Sequence, residues 1–160
     1  SAEDLDRYLQ EKYPATKELP ESPLVGTGEV YKEMERKYGV NALYLMAHAI
    51  HESNWGRSKI AQDKKNIYGM QAYDSNPYGD AKVYESFAQS IEDAAIKVTK
   101  EYLAPNGKHY YGAVLGNKGG GMNVMYASDP FWGEKIAGHM YRADQYLGHK
   151  DIHQHSLAVQ

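Results

Sequence analysis

The chain has 160 residues, no cysteine, and 18 basic against 21 acidic residues, which gives a net charge of −3 at pH 7. The lack of cysteine excludes disulfides, thiolate metal sites and a cysteine nucleophile, and the even spread of charge argues against nucleic acid as a partner. The length and the 42% of hydrophobic residues suit one compact domain, which we expect to be a monomeric part of a larger modular protein. No apolar run is long enough for a signal peptide or a membrane span, so we expect no membrane insertion.

Helix signals dominate the first third of the chain. Residues 2–12 carry leucines at helical spacing and predict a helix that stops before a proline, and the Pro- and Gly-rich stretch that follows to residue 28 predicts an irregular segment. A second predicted helix, over 29–38, is closed by Gly39. Asn41 then caps a third helix, which is mostly apolar.

The rest of the chain mixes strand-like and helical signals. Short segments around a turn between residues 66 and 84 predict a small β-hairpin or β-like lobe. A capping box formed by Ser86 and Gln89 starts a further helix, and Asp129 precedes the last helix. The expected fold class is therefore mainly α (α+β), in one domain over residues 1–160 that ends in a flexible tail over 148–160.

The tail contains His149, His153 and His155, three side chains that could hold a metal ion. A polar terminal segment without a carboxylate to fix the geometry is more often a mobile end. We therefore expect no metal and no cofactor.

One carboxylate stands out because it continues the apolar side of the third helix. Glu52 follows His48 and Leu45 at helical spacing, which predicts that its carboxyl group is partly buried. Burial favours the neutral, proton-carrying form, which a glycosidase needs in its proton donor. The alternative is a structural glutamate held in an ion pair, and His48 is either its hydrogen-bond partner or an ordinary core histidine.

Several motifs resemble, in order, those of the bacterial endo-β-N-acetylglucosaminidase domains of glycoside hydrolase family 73, found in autolysins and phage lysins. The motifs are Ser-Pro-Leu-Val-Gly at 22–26, Tyr-Gly-Val-Asn at 38–41, His-Ala-Ile-His-Glu-Ser-Asn-Trp-Gly at 48–56, Asn-Ile-Tyr-Gly-Met-Gln-Ala-Tyr-Asp at 66–74, Val-Tyr-Glu-Ser-Phe at 83–87 and Tyr-Ala-Ser-Asp-Pro at 126–130. The resemblance implies a lysozyme-like fold in which a small β-lobe flanks a substrate groove.

The same resemblance implies the chemistry. Glu52 would be the general acid that protonates the glycosidic oxygen in peptidoglycan, at the β-1,4 bond after N-acetylglucosamine. Tyr126 matches the groove tyrosine of the family, which would orient the sugar or stabilise charge near its anomeric carbon. The alternative for Tyr126 is a structural anchor at the start of the last helix.

A second catalytic group is less well defined by the sequence. Asp74 is the first candidate because it lies in the turn of the predicted β-lobe, and Asp80 and Glu85 are its rivals. An aspartate in such a turn is often only a local backbone acceptor, and the 2-acetamido group of the substrate could replace a protein nucleophile. Aromatic side chains could bind the sugars, and the candidates are Trp55, Tyr68, Tyr73, Tyr78 and Tyr111.

Two other functions compete with this interpretation. A lytic transglycosylase or muramidase would use the same lone glutamate but cut after N-acetylmuramic acid, and a wall-binding module would not cut at all. The expected location is the cell wall, either as a secreted autolysin or associated with a phage as a lysin or tail component.

Overall fold

The computed structural model describes residues 1–148 and 156–158, in which helices form most of the regular structure. The α-helices in chain order are α1 (Ala2–Lys12), α2 (Gly28–Tyr38), α3 (Ala42–Ser53), α4 (Lys59–Lys64), α5 (Pro77–Asp80), α6 (Phe87–Val98) and α7 (Trp132–Tyr146). A π-helical turn over Thr99–Leu103 continues α6, and a 3₁₀ turn over Met122–Val124 precedes α7. In the part of the chain described, every helix is too short or too polar to cross a membrane.

Helix α3 forms the centre of the core because nearly all of its side chains are apolar. Its residues from Tyr44 to Ile50 are all buried, and it packs against α2 and α7. The expected caps are present: Gly39 ends α2 with a φ of 70°, and the side chain of Asn41 accepts the backbone N–H of Tyr44 at 3.1 Å. Local signals thus fix the end of α2 and the start of α3, the helix that carries Glu52.

The β-hairpin expected between residues 66 and 84 is wrong, since the structure has no strand there and contains the short helix α5 instead. One backbone hydrogen bond, from Lys82 N to Met70 O at 2.9 Å, joins the two sides. Buried Asn66 adds two side-chain hydrogen bonds to this connection, because its amide donates to the carbonyls of Met70 (2.9 Å) and Lys82 (3.0 Å). Side-chain hydrogen bonds from Asn66, which we call a side-chain clamp, therefore take the place of the backbone hydrogen bonds that pair the strands of a hairpin.

A second clamp fixes the start of α7. Buried Asn123 donates its amide to the carbonyl of Asp129 at 2.9 Å and accepts the backbone N–H of Gly133 at 2.8 Å. Gly133 is required at that position, since a Cβ there would lie 2.3 Å from the carbonyl oxygen of Gly116. This arrangement fixes the first turn of α7 and its residue Trp132.

The tail expected over 148–160 is described only in part. His149, His153 and His155 lie outside the described residues. Residues 156–158 do not behave as a free end, because Leu157 is 3% exposed and its backbone N–H donates to Ala113 O at 2.7 Å. Leu157 thus packs into the main core, and the flexibility of the tail stays a prediction.

Candidate active site

The candidate site begins where α3 ends. The chain leaves α3 through left-handed residues, Asn54 and Trp55, with φ angles of 50° and 61°. Buried Ser53 holds this turn together, because its hydroxyl donates to Ala49 O and accepts the N–H of Gly56. Glu52 lies at the last turn of α3 and keeps 28% of its side-chain surface exposed. The carboxyl group therefore lies at the open end of a buried helix.

One carboxyl oxygen of Glu52 faces two N–H groups. The indole Nε1–H of Trp132 donates to Oε1 at 3.0 Å, and Nε2 of the fully buried His48 lies 3.6 Å from the same oxygen. Nδ1 of His48 lies 3.0 Å from the hydroxyl of Tyr44. Burial raises the pKa of Tyr44 well above its usual value, so its phenol stays protonated and can donate to Nδ1. That bond leaves the hydrogen of His48 on Nε2, directed at Glu52.

These neighbours reverse the protonation expected for Glu52. Burial alone raises the pKa of Glu52, as anticipated from its place on the apolar helix. The interaction with the His48 imidazole 3.6 Å away, the hydrogen bond from the Trp132 indole and the charge of His51 outweigh burial, and the net pKa of Glu52 is below the ordinary value for glutamate. The expected effect of burial on the pKa of Glu52 is therefore present, but the neighbouring groups outweigh it and reverse the net direction of the shift.

The other carboxyl oxygen of Glu52, Oε2, lies beside Gly69 and accepts no hydrogen bond from the described residues. A Cβ placed on Gly69 would lie 3.7 Å from Oε2, and no nearer contact would form. Gly69 has a φ of 67° and belongs to the segment clamped by Asn66. The two oxygens therefore differ: Oε1 accepts from Trp132 and faces His48, whereas Oε2 has no donor among the described residues.

Aromatic rings surround His48 beneath the carboxylate. The ring centroid of Tyr126 lies 5.1 Å from that of His48 and 4.8 Å from that of Trp132, on which Tyr126 stacks. Burial, with a contribution from the charge of Glu52, raises the pKa of Tyr126 well above its usual value. The phenol of Tyr126 therefore remains a hydrogen-bond donor at working pH. The structure thus brings together Glu52 and Tyr126, the first and third of the expected catalytic residues.

The aromatic residues expected to bind sugar lie in several different places. Tyr68 is 3% exposed, donates its hydroxyl to Leu45 O at 2.8 Å and supports the ring of His48 from below. Trp55 packs on Tyr8, on another side of the turn after α3. The remaining candidates have more than a third of their surface exposed, and these are Tyr73, Tyr78 and Tyr111.

The candidate second carboxylates all lie at the surface. Asp74 belongs to an exposed turn that closes with a hydrogen bond from Asn76 N to Tyr73 O at 3.1 Å. Asp80 ends α5, and Glu85 precedes α6. Within residues 1–148 and 156–158, none of the three carboxylates forms an ion pair or hydrogen bond with Glu52. The structure therefore leaves the role of Asp74 as a prediction.

Trp132 is the site residue that the sequence did not identify as functional. Its position after Asp129 and Pro130 indicated an inward-facing helix residue, and it is in fact 2% exposed. Its contact with Glu52 joins positions separated by 80 residues. Among the described residues, no group of three or more His, Cys, Asp or Glu side chains could hold a metal ion.

A family model for glucosaminidase, described as mannosyl-glycoprotein endo-beta-N-acetylglucosaminidase, matches residues 28–145. The chain belongs to the glucosaminidase family. A protein of Streptococcus pneumoniae (strain TIGR4) named endo-beta-N-acetylglucosaminidase is 46% identical over 151 residues, a match that covers 94% of this chain and 21% of that protein. This glucosaminidase chain thus spans about a fifth of the length of its pneumococcal relative. The match confirms the family expected from the motifs.

Solved structures of Staphylococcus aureus autolysin E resemble this glucosaminidase chain. A catalytic Glu-to-Ala mutant of autolysin E in complex with the disaccharide NAG-NAM is 27% identical, with a TM-score of 0.67 over 92% of this chain and 68% of that chain. A complex of the same protein with the muropeptide NAM-L-Ala-D-iGlu is 28% identical, with the same TM-score and coverage. This likeness confirms the expected mainly helical, lysozyme-like fold.

Proposed function

We propose that this domain hydrolyses the glycan strands of peptidoglycan at the β-1,4 bond after N-acetylglucosamine, with Glu52 as the general acid. The observation that carries the proposal is the asymmetric environment of this partly exposed carboxyl group, in which Oε1 accepts from Trp132 and Oε2, beside Gly69, has no donor among the described residues. Membership of the glucosaminidase family supports the reaction class. The autolysin E complexes support a substrate that contains both N-acetylglucosamine and N-acetylmuramic acid.

The asymmetry of Glu52 assigns a different task to each oxygen. Because Oε1 accepts from the indole of Trp132, the acidic proton resides on Oε2, which can approach a glycosidic oxygen. When that proton leaves with the departing sugar, negative charge develops on the carboxyl group. The Trp132 and His48 N–H groups are already directed at Oε1, so they stabilise this charge without rearrangement. His48 Nε2 has no other hydrogen-bond partner within the described residues, and it can close the 3.6 Å gap as the charge forms.

The lowered pKa of Glu52 has a consequence for the working pH. A general acid must be protonated, so activity declines as pH rises through the pKa of Glu52. The free domain should therefore work best on the acidic side of neutrality. A bound glycan that displaces water from Oε2 raises the pKa again and extends the useful range.

Tyr126 is assigned to the sugar at the cleavage point. Its phenol is protonated, and its ring is held between Trp132 and Tyr102 with centroid distances of 4.8 Å and 5.1 Å. A fixed donor beside the acid can orient the sugar through a hydroxyl or through the acetamido oxygen. We assign the second step either to Asp74, acting through a water, or to the acetamido group of the substrate itself.

The test of Glu52 is the Glu52→Gln variant, since the amide keeps the shape of the side chain but cannot donate the proton. We expect it to fold normally and to lose about 10² to 10⁴ in rate. The measurement is loss of turbidity of a cell-wall suspension, with thermal stability matched to wild type. If the variant retained more than a few per cent of wild-type lysis, Glu52 would not be the general acid. If the wild-type domain bound cell walls but never cleared them, it would be a binding module and not an enzyme.

The bond cleaved is tested separately. Reduction of the digestion products with borohydride before sugar analysis yields reduced glucosamine ends if the bond after N-acetylglucosamine is cut. Reduced muramic acid would identify a muramidase, and anhydro-muramic acid a lytic transglycosylase. In all these cases the place of action is the cell wall, with the domain supplied by a secreted autolysin or by a phage.

A further inference from the structure

A cleft between α1, the turn after α3 and the end of α7 lies outside the site described above. Its volume is about 430 Å³, and its lining consists of Tyr8, Lys12, Trp55, Arg142, Gln145 and Tyr146. Both Trp55 and Tyr146 have ring centroids 5.8 Å from that of Tyr8, so the rings form a continuous aromatic surface. The proposed reaction at Glu52 uses none of these side chains.

Cations border this aromatic surface without matching acids. Lys12 Nζ lies 4.9 Å from the centroid of the Tyr146 ring, and Arg142 is exposed beside it. No carboxylate among residues 1–148 and 156–158 lies within salt-bridge distance of Lys12 or Arg142, whereas the nearby Arg7 is paired with Asp4 at 3.3 Å. On a chain with a net charge of −3, these two cations, one of them over the Tyr146 ring and neither paired with a described carboxylate, form a local site for an anion.

Tyr8 adds a polar group to the same cleft. This residue is 4% exposed, yet within the described part of the chain its hydroxyl has no hydrogen-bond partner. The Arg142 guanidinium lies close enough to oppose the rise in the pKa of Tyr8 that burial causes. A phenol hydroxyl that opens into the cleft beside a guanidinium suits a ligand that brings its own acceptor oxygens.

Helix α7 connects this cleft with Glu52. Trp132 at its start contacts Glu52, His139 lies in its middle with a ring centroid 5.8 Å from that of His51, and Arg142 lies near its end. From Trp132 to Arg142 the helix rises by roughly 15 Å at about 1.5 Å per residue. An extended peptide of four or five residues spans about 13 to 18 Å. A peptide attached to a sugar at Glu52 is therefore long enough to reach the cleft.

We propose that the cleft binds the carboxylate-bearing stem peptide of the peptidoglycan strand whose sugars lie at Glu52. This proposal rests on the function proposed above and makes peptide-bearing glycan the preferred substrate. The occupant that we propose is a peptide in which carboxylates, amides and apolar side chains alternate. The separate cations match the carboxylates, the amide of Gln145 matches the amides, and the aromatic floor matches the apolar side chains. A polymer of phosphodiesters would be matched better by a denser row of cations.

The test uses the double variant Lys12→Gln/Arg142→Gln, which removes both charges and keeps polar side chains of similar length. Its matched control is Lys97→Gln/Lys100→Gln, with the same change in net charge at exposed positions outside the cleft. Kinetics are measured on glycan strands that carry stem peptides and on the same strands after enzymatic removal of the peptides. We expect the cleft variant to raise KM about tenfold on the peptide-bearing strands, as loss of charge-assisted hydrogen bonds implies. Its kcat, and its KM on bare strands, should stay at wild-type values.

A binding measurement separates this proposal from the reaction. The free stem tetrapeptide is titrated into wild type and both double variants by calorimetry, and only the cleft variant should lose affinity, by about the same factor. If wild type cleaves neither kind of strand, the proposed function fails, and the titration still decides the cleft. Equal effects of the cleft variant on both kinds of strand, or no binding of the peptide to wild type, would overturn the proposal. Tighter binding of a glycerol-phosphate polymer than of the peptide would overturn the choice of occupant.

Discussion

Trp132→Phe isolates one hydrogen bond to the proposed acid. The indole Nε1–H of Trp132 donates to Oε1 of Glu52 at 3.0 Å, and phenylalanine retains an aromatic ring without a donor. Because the indole favours the carboxylate over the carboxylic acid, its removal raises the pKa of Glu52. A general acid acts only while protonated, so the alkaline limb of the pH–rate profile should move to higher pH.

The expected size follows from the strength of such a bond. A hydrogen bond to a charged group contributes about 1.5 to 3 kcal/mol, and about 1.4 kcal/mol corresponds to one pKa unit. The side chain of Glu52 is 28% exposed, so solvent weakens the interaction and the lower end of this range applies. We expect the limb to rise by about one pH unit. We also expect kcat on the acidic plateau to fall by up to about tenfold, since the new carboxylate loses a donor.

The assay is kcat/KM for a soluble glycan oligomer as a function of pH, because that ratio reports the pKa of the free enzyme. Ile136→Val is the control: this fully buried residue of α7 has no hydrogen-bonding side chain, and its truncation costs about 0.5 to 1.5 kcal/mol of stability. The control should lower thermal stability and leave the limb in place. An unchanged limb in Trp132→Phe, or an equal shift in the control, would refute the argument that the indole sets the acidity of Glu52.

Three further predictions address other parts of the site. If Asp74 activates water, Asp74→Asn should cripple turnover and leave glycan binding near normal, and NMR should show inversion at the anomeric carbon of the wild-type product. Full activity of the variant, with retention at that carbon, would assign the step to the acetamido group. Gly69→Ala should lower the free energy of unfolding by about 1 to 2 kcal/mol, because φ is 67° at this position. It should also lower kcat/KM, because the new methyl group would face Oε2. Unchanged kinetics would show that Oε2 is not the donor. Asn123→Ala should lower the free energy of unfolding by about 1 to 3 kcal/mol in urea, whereas the exposed control Asn117→Ala should change it little.

Helices were predictable where their signals are local. Helix α1 has the bounds that its leucine spacing and the following proline indicate, and α3 starts at the cap provided by Asn41. Ser86 also caps α6 as expected, accepting the N–H of Gln89 at 3.1 Å. Each of these signals acts within about one helical turn, so the sequence alone contains it. The short helix α4, capped by Ser58, was not predicted although its cap is of the same kind.

The segment over 66–84 shows where local reasoning fails. Its apolar spacing and its turn are typical of a hairpin, but a hairpin needs two strands that pair along their length. Here the buried amide of Asn66 satisfies the backbone groups of Met70 and Lys82, and Lys64 donates to the carbonyls around Ala81. These side-chain bonds satisfy the same backbone groups that a β-ladder would pair. The choice between the two depends on side-chain hydrogen bonds, most of them from Asn66 itself, which the apolar spacing of the segment does not reveal.

The acidity of Glu52 depends on tertiary contacts in the same way. The sequence correctly predicted that burial would raise its pKa, because the apolar stripe of α3 is a local property. The opposing donors come from the same helix at His48 and from a position 80 residues away at Trp132, and only the folded chain brings both to one oxygen. A glutamate buried without donors would hold its proton but would have no group to stabilise the charge left behind. With the donors on Oε1, Glu52 is more acidic than an ordinary glutamate, and the same donors stabilise its conjugate base at the moment of bond cleavage.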